Sequence, residues 1–237
     1  MSKVLATNRC FSNCLPHLRC ALENAQSLGN KLQELHYLLY GECFDLVLIT
    51  ESWLDSTFTH GISDPESKYN VYRKDRNRHG GGICLFVSKL LQSTQVDMNN
   101  DFNSVEIVCV DVYTTSLVMR VFVAYRPPGT DTASVTYLAS PTECIRSYCH
   151  IDRVNLVTGD FSCPKIDWSP LTSPNGAVHR PLLDCAIECG FTQVVDFPTR
   201  LTHILDVILI DEAQRILTTS ERPPLGHSDH SCVEFHS

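Results

Sequence analysis

Several polar side chains stand where apolar runs end. Glu51 stands just past Leu46–Ile49, after Thr50; Tyr125 and Arg126 follow Val121–Ala124, and Asp160 follows Val157 and Gly159. Asp206 interrupts the run Ile204–Ile210, Asp229 and His230 come after Gly226 and Ser228, and Asn24 stands between Leu22 and Ala25. Taken singly, a carboxylate at a strand end reads as a solvated turn residue or a helix cap. Asp206 resists that reading because Leu205 and Val207 flank it. An uncompensated buried polar group costs roughly 2–7 kcal/mol, so Asp206 needs a histidine or a metal, and His230 is the candidate partner. Together these residue types suit metal-assisted phosphoester cleavage. Oxygen ligands favour Mg²⁺ or Mn²⁺ over zinc, and a carboxylate or histidine handles the proton of the attacking water. Glycoside hydrolysis needs two carboxylates and would leave Asp206, His230 and Tyr125 without a task.

The elements that must position these groups are mostly strands. Strand-like stretches cover Asp45–Thr50, Gly82–Ser88, Val105–Tyr113, Leu117–Tyr125, Asn155–Thr158, Gln193–Val195 and Ile204–Ile210. Val105, Ile107 and Cys109 alternate with Val108, Val110 and Val112, which predicts a strand covered on both faces. Helices are predicted over 30–40, on the stripe Leu32, Leu35 and Leu39, and over 180–188, ending at Gly190 as a C′ signal. Ser140 followed by Pro141 predicts an N-cap and first-turn proline for a helix to about Cys149. Asn24 is read as lying at the entry to a helix. Residues 1–17 read as a loose N-terminal extension and 18–237 as one layered domain.

The totals narrow the classes. The 237 residues are 43% hydrophobic with a net charge of −8, enough chain for a sizeable core. The acidic balance argues against coating nucleic acid by charge alone, but not against an enzyme whose metal offsets its carboxylates. Twelve cysteines without a CxxC pair read as free thiols rather than a zinc or redox motif. No apolar run reaches the ~18 residues of a membrane span, which predicts a soluble protein of a reducing, intracellular compartment with no membrane partner.

The order of these residues resembles the endonuclease/exonuclease/phosphatase superfamily, and within it the apurinic-type endonuclease domain of non-LTR (LINE-type) retrotransposons. The matching strings are NAQSLGNKLQEL at 24–35, LVLITESWLD at 46–55, YRKDRNRHGGGICLFV at 72–87 and VAYRPPG at 123–129. TGDFSCPKIDW at 158–168, FPTRLTHILDVIL at 197–209 and SDHSCVEF at 228–235 complete the set. The resemblance implies an α+β fold, a four-layer α/β/β/α sandwich of two mixed β-sheets flanked by helices. It implies Mg²⁺-dependent nicking of DNA, leaving a 3′-hydroxyl for target-primed reverse transcription, and a nuclear location if the target is chromosomal. It makes Glu51 the metal-binding glutamate, Asn24 the asparagine beside that metal and Asp229 a second acid near it. Tyr125 contacts the scissile phosphate, Asp160 orients or deprotonates water, His230 contacts the phosphate, and Asp206 holds His230. Ser162 departs from the pattern, standing where the family string GDFN has Asn, and His203 is a second departure. A hydroxyl is shorter than an amide and turns freely, so Ser162 is expected to slow catalysis.

Arg73, Lys74, Arg76 and Arg78, leading into Gly80–Gly82, read as a phosphate-contacting loop beside the cleft, with Arg126 and Arg200 as further DNA contacts. The segment 171–178 reads as a loop without a recognisable code. The sequence runs only a few residues past the Ser-Asp-His string, so it reads as an endonuclease domain alone, from an element, a decayed copy or a host-recruited module. Two rivals remain open: an inactive DNA-binding remnant, which Ser162 favours, and a phosphatase of the same superfamily acting on inositol or lipid phosphates.

Overall fold

Apolar alternation along the strands decides the layering. The computed structural model describes residues 17–129, 132–174 and 178–237. In chain order the elements are β1 (Arg19–Asn24), α1 (Leu32–His36, prolonged by a π-helical turn over Tyr37–Gly41), β2 (Leu46–Thr50), α2 (His60–Ser63), β3 (Tyr69–Lys74), β4 (Ile83–Ser88), β5 (Gln92–Gln95), β6 (Ile107–Tyr113) and β7 (Val118–Tyr125). They continue with α3 (Thr132–Tyr148), β8 (Val154–Asp160), β9 (Asp167–Trp168), β10 (Leu171–Thr172), α4 (Arg180–Glu188), β11 (Thr192–Gln193), β12 (Asp206–Ile210), β13 (Thr218–Arg222) and β14 (Cys232–His236).

Two six-stranded sheets form, in the orders β13-β14-β1-β2-β4-β3 and β11-β12-β8-β7-β6-β5. Each is mixed: β1 runs parallel to β2 and β7 parallel to β8, while the other neighbours are antiparallel. Val108, Val110 and Val112 of β6 enter the core between the sheets, against Val121, Val123, Leu22 and Leu48. Ile107 and Cys109 enter the opposite layer, under Leu138 and Ile145 of α3 and Leu182 and Leu183 of α4. Leu35, Leu38 and Leu39 cover the far face of the first sheet, on Ala21, Val47, Ile49 and Phe86. The order is helix, sheet, sheet, helix, as the resemblance implied.

Two local expectations are corrected. Asn24 ends a strand and does not open a helix; α1 begins at Leu32. Charged Arg19 and Glu23 hide the alternation of β1, yet pairing on both sides by β14 and β2 buries Glu23 all the same. Pro141 lies inside α3 rather than in its first turn. The Thr142 hydroxyl turns back onto the Leu138 and Ala139 carbonyls there (3.1 and 2.9 Å), where proline interrupts the usual ladder. Of the expected N-terminal extension, all but His17 lies outside the described residues, as do 175–177 of the loop at 171–178. Among the described residues no helix is long and apolar enough to cross a membrane.

The second sheet is tied to its helices by charge. Arg120 donates to both Asp111 carboxylate oxygens (2.8 and 2.9 Å) and to the Tyr148 carbonyl at the end of α3 (2.8 Å), and Arg153 adds a bond to Asp111 (2.9 Å). Burial opposes ionisation of Asp111, but the two guanidinium groups outweigh it and hold its pKa below the ordinary value. A depressed folded pKa adds stability that is present above the unfolded carboxylate range and lost as pH falls through the folded value. Asp111→Ala strands Arg120 in the interior and is expected to cost about 3 kcal/mol. Urea unfolding at pH 7 checks this; an unchanged midpoint would mean the arginines find other partners.

Candidate active site

The register of the second sheet sets three polar residues side by side. Tyr125 on β7 pairs with Asp160 on β8, which pairs with Asp206 on β12. Because side chains alternate along a strand, these three continue the inward-facing rows Val121–Val123, Val154–Leu156 and Ile208–Ile210. On the first sheet Asn24 likewise continues the row of Cys20 and Leu22. The polar residues therefore cap one end of the apolar core between the sheets.

Asp160 is the centre. Its Oδ2 accepts from Asn24 Nδ2 (2.8 Å), and its Oδ1 from the backbone N–H and hydroxyl of Ser162 (2.7 and 3.1 Å). Burial and the adjacent Asp206 charge push its pKa up to about 7, against the pull of His230 and Ser162. Asp206 Oδ2 meets His230 Nδ1 at 2.7 Å, which leaves Nε2 as the outward atom of the ring. Burial favours the neutral imidazole, but the bond to Asp206 and the charges of Asp206, Asp160 and Asp229 raise its pKa. His230 thus carries a proton more readily than a free histidine.

Glu51 and Tyr125 form the other half. The Tyr125 hydroxyl donates to Glu51 Oε1, while Glu51 Oε2 accepts from the Trp53 indole and from the Gly81 N–H (2.8 Å). Burial, then the Glu51 bond and charge, raise the Tyr125 pKa, so the phenol stays protonated. Glu51 adopts a positive φ of 53° just past β2, strain of a kind that concentrates at functional sites. Gly81 has φ 68°, and a Cβ there would meet Arg76 and Glu106 at 2.5 Å, so this glycine serves the packing around Glu51.

Asp229 sits apart from the buried cluster. It is half exposed, held by Arg200 (2.9 and 2.6 Å) and by the Gln26 side chain, with His230 Nε2 at 3.8 Å. Burial opposes its ionisation, but Arg200 keeps its pKa below the ordinary value. Gln26 is a contact the sequence reading missed, although it lies inside the quoted string at 24–35. Ser228 and Thr199 were missed too. The Ser228 hydroxyl donates to the Asn24 carbonyl (2.6 Å), and Thr199 Oγ1 accepts the N–H groups of Leu205 and Asp206 (3.0 and 3.1 Å). The Ser228 partner is distant in the chain, whereas Thr199 lies six and seven residues before its partners, inside the quoted string at 197–209.

The basic residues divide. Arg78 and Arg200 expose 62% and 39% of their side chains, each paired with an acid, Asp55 and Asp229. Arg76 bonds Glu106 (2.8 Å) and lies over the Tyr125 ring, 5.7 Å from its centroid. Arg73, on β3, is consumed by Asp75 and the Phe58 and Asp55 carbonyls. Lys74 donates to the Phe102 carbonyl (3.1 Å), and Arg126 is buried.

The donor chemistry fits a hard divalent cation. Asp160, Asp206 and His230 offer ligand atoms within 4.8 Å of one another, all buried. Asp206 Oδ1 is buried without a hydrogen-bond partner among the described residues. Two buried carboxylates facing one imidazole leave negative charge for a cation to balance, and Glu51, Asn24 and Asp229 add oxygen donors.

Residues 119–234 match the model of a family described as endonuclease-reverse transcriptase. Over this stretch, just under half of the 237 residues, the chain is similar to that family. Solved structures agree with this fold. An AP endonuclease from Archaeoglobus fulgidus superposes with a TM-score of 0.71 at 14% identity, over 92% of this chain and 98% of that one. The endonuclease domain of TRAS1, a telomere-specific non-LTR retrotransposon, gives 0.70 at 18% identity, over 93% and 98%. The 3′ phosphatase NExo from Neisseria, bound to product DNA hairpin, gives 0.68 at 15%, over 92% and 98%. No curated protein matches the sequence.

Proposed function

We propose that this chain is a metal-dependent phosphodiesterase that nicks DNA, with the target-site cleavage role of a retrotransposon endonuclease. The observation that carries the reading is the buried Asp160–Asp206–His230 cluster, tied through Asn24 to the first sheet and flanked by the Tyr125–Glu51 pair. Mg²⁺, or Mn²⁺, held by Glu51 with Asn24 and Asp229 nearby, would polarise a phosphate oxygen and offset its charge. His230, with Nδ1 held by Asp206, presents Nε2 to a phosphate oxygen and stabilises developing charge. Asp160, with Asn24 and Ser162 fixing its two oxygens, orients water and accepts its proton. Tyr125, protonated, donates toward the phosphate. Arg76, Arg78 and Arg200 flank this mouth and supply positive charge toward a DNA backbone. A 3′-hydroxyl product on chromosomal DNA would place the activity in the nucleus.

Supercoiled plasmid tests this with Mg²⁺, with EDTA, and with Asp160→Ala and His230→Ala. Nicking that EDTA and either substitution abolish is the expected result. Intact plasmid with DNA still retained would mean a binding module, and phosphate release from inositol phosphates would mean a phosphatase.

Ser162 adopts φ 47°, a left-handed conformation that Asn tolerates better than Ser. Its hydroxyl is spent on Asp160. Ser162→Asn keeps the backbone bond, suits the backbone angle and extends an amide donor toward the phosphate. The nicking rate is expected to rise by about 10²-fold, the size of one preorganised donor. Single-turnover rates at saturating enzyme measure it; no gain would show that position 162 is not limiting.

A further inference from the structure

Arg126 is 1% exposed and among the largest fully buried side chains. A guanidinium so placed has no path to a DNA phosphate. No carboxylate pairs with it among the described residues, and its fork closes on two carbonyls. One terminal nitrogen donates to Ser162 O (3.0 Å) and the other to Gly129 O (2.6 Å). Its own N–H donates to Asp160 O (2.9 Å). Gly129 belongs to the loop that leaves β7 after Tyr125, and Ser162 to the loop that leaves β8 after Asp160. These strands are neighbours in register, with Tyr125 opposite Asp160. One side chain therefore spans the exits of the two strands that carry the site.

Ser162 holds Asp160 only in its left-handed conformation, which puts both its N–H and its hydroxyl on Asp160 Oδ1. That backbone state is unfavourable for serine and needs a restraint. The bond from Arg126 fixes the carbonyl of the same residue. We propose that Arg126 is a positioning residue: its buried guanidinium locks Ser162 in the conformation that orients the Asp160 carboxylate, and it makes no contact with DNA. This rests on the reading of Asp160 as a nuclease acid, but the brace itself does not. Lysine cannot replace it, because a single ammonium lacks the planar fork that reaches both carbonyls.

Arg126→Met and Arg126→Lys are compared with the native chain, alone and with Ser162→Gly, which removes the hydroxyl and the backbone strain together. Both Arg126 variants are expected to lower the single-turnover nicking rate by about 10-fold or more at unchanged DNA affinity. The salt slope of binding should stay the same, whereas loss of a phosphate contact would make it shallower by about 0.9. With Ser162→Gly present, the Arg126 substitution should add nothing, as for residues acting through one another. Hydrogen exchange at the Ser162 amide reads the brace without turnover and should quicken about 10-fold or more in Arg126→Lys. A shallower salt slope, additive losses in the double variants, or an unchanged Ser162 exchange rate would overturn the proposal. A native chain that fails to nick while Ser162 exchange still responds would reject the nuclease reading and leave the brace standing. If Arg126→Met does not fold, Arg126→Lys decides alone.

Discussion

Asp206→Asn slows plasmid nicking by roughly 10³–10⁴-fold while leaving the fold and DNA affinity in place. The aspartate fixes His230 by accepting from Nδ1 at 2.7 Å, and an asparagine of the same shape offers no charge to the imidazolium. In hydrolases where an aspartate orients a catalytic histidine, this exchange drops turnover by about 10⁴ through the wrong tautomer and the lost charge. Here the Asp206 backbone stays anchored by Thr199 Oγ1, so the substitution changes chemistry rather than position. It also has a pH signature. Asp206 raises the His230 pKa, and activity needing the imidazolium is lost as pH rises through that value. Removing the charge lowers it, so the basic limb of the profile should move to lower pH. Single-turnover nicking across pH measures both effects. A rate within about threefold of native would show that Asp206 serves stability only.

Gly159→Ala is expected to leave little folded protein. The glycine lies within β8, opposite Ala124 of β7. Its φ is 137°, and a Cβ there would stand 1.8 Å from the Ala124 carbonyl oxygen. That oxygen belongs to the backbone of a central parallel pair and cannot swing aside. The positive φ alone strains alanine by about 1–3 kcal/mol, and parting the strands adds more. A total above about 4 kcal/mol consumes much of the roughly 5–15 kcal/mol that a domain has. Soluble yield and the urea midpoint are the readouts. A variant with native stability would mean that β7 and β8 can separate locally; its nicking would then report how far Asp160, the next residue, has moved.

How much was legible in advance follows from range. The two-sided burial of β6 was written in its alternating valines, because a period of two along one strand needs no partner to be read. The Asp206–His230 pairing was legible for a related reason: a carboxylate flanked by apolar residues demands a partner. β1 escaped because its pattern is broken by Arg19 and Glu23, and only pairing with strands far along the chain makes it central.

The sequence by itself determined which residues alternate, which acids stand at strand ends, and the kind of chemistry such groups suit. The tertiary structure alone decided which face of the site each one serves. Arg126 and Arg200 look alike in the sequence, yet one is buried between two carbonyls and the other lies at the rim on Asp229. Gly159 was visible as a glycine but not as the point where two backbones touch. The reason is physical: periodicity is a local property of one strand, whereas burial, partner choice and backbone clearance are set by register between strands distant in sequence.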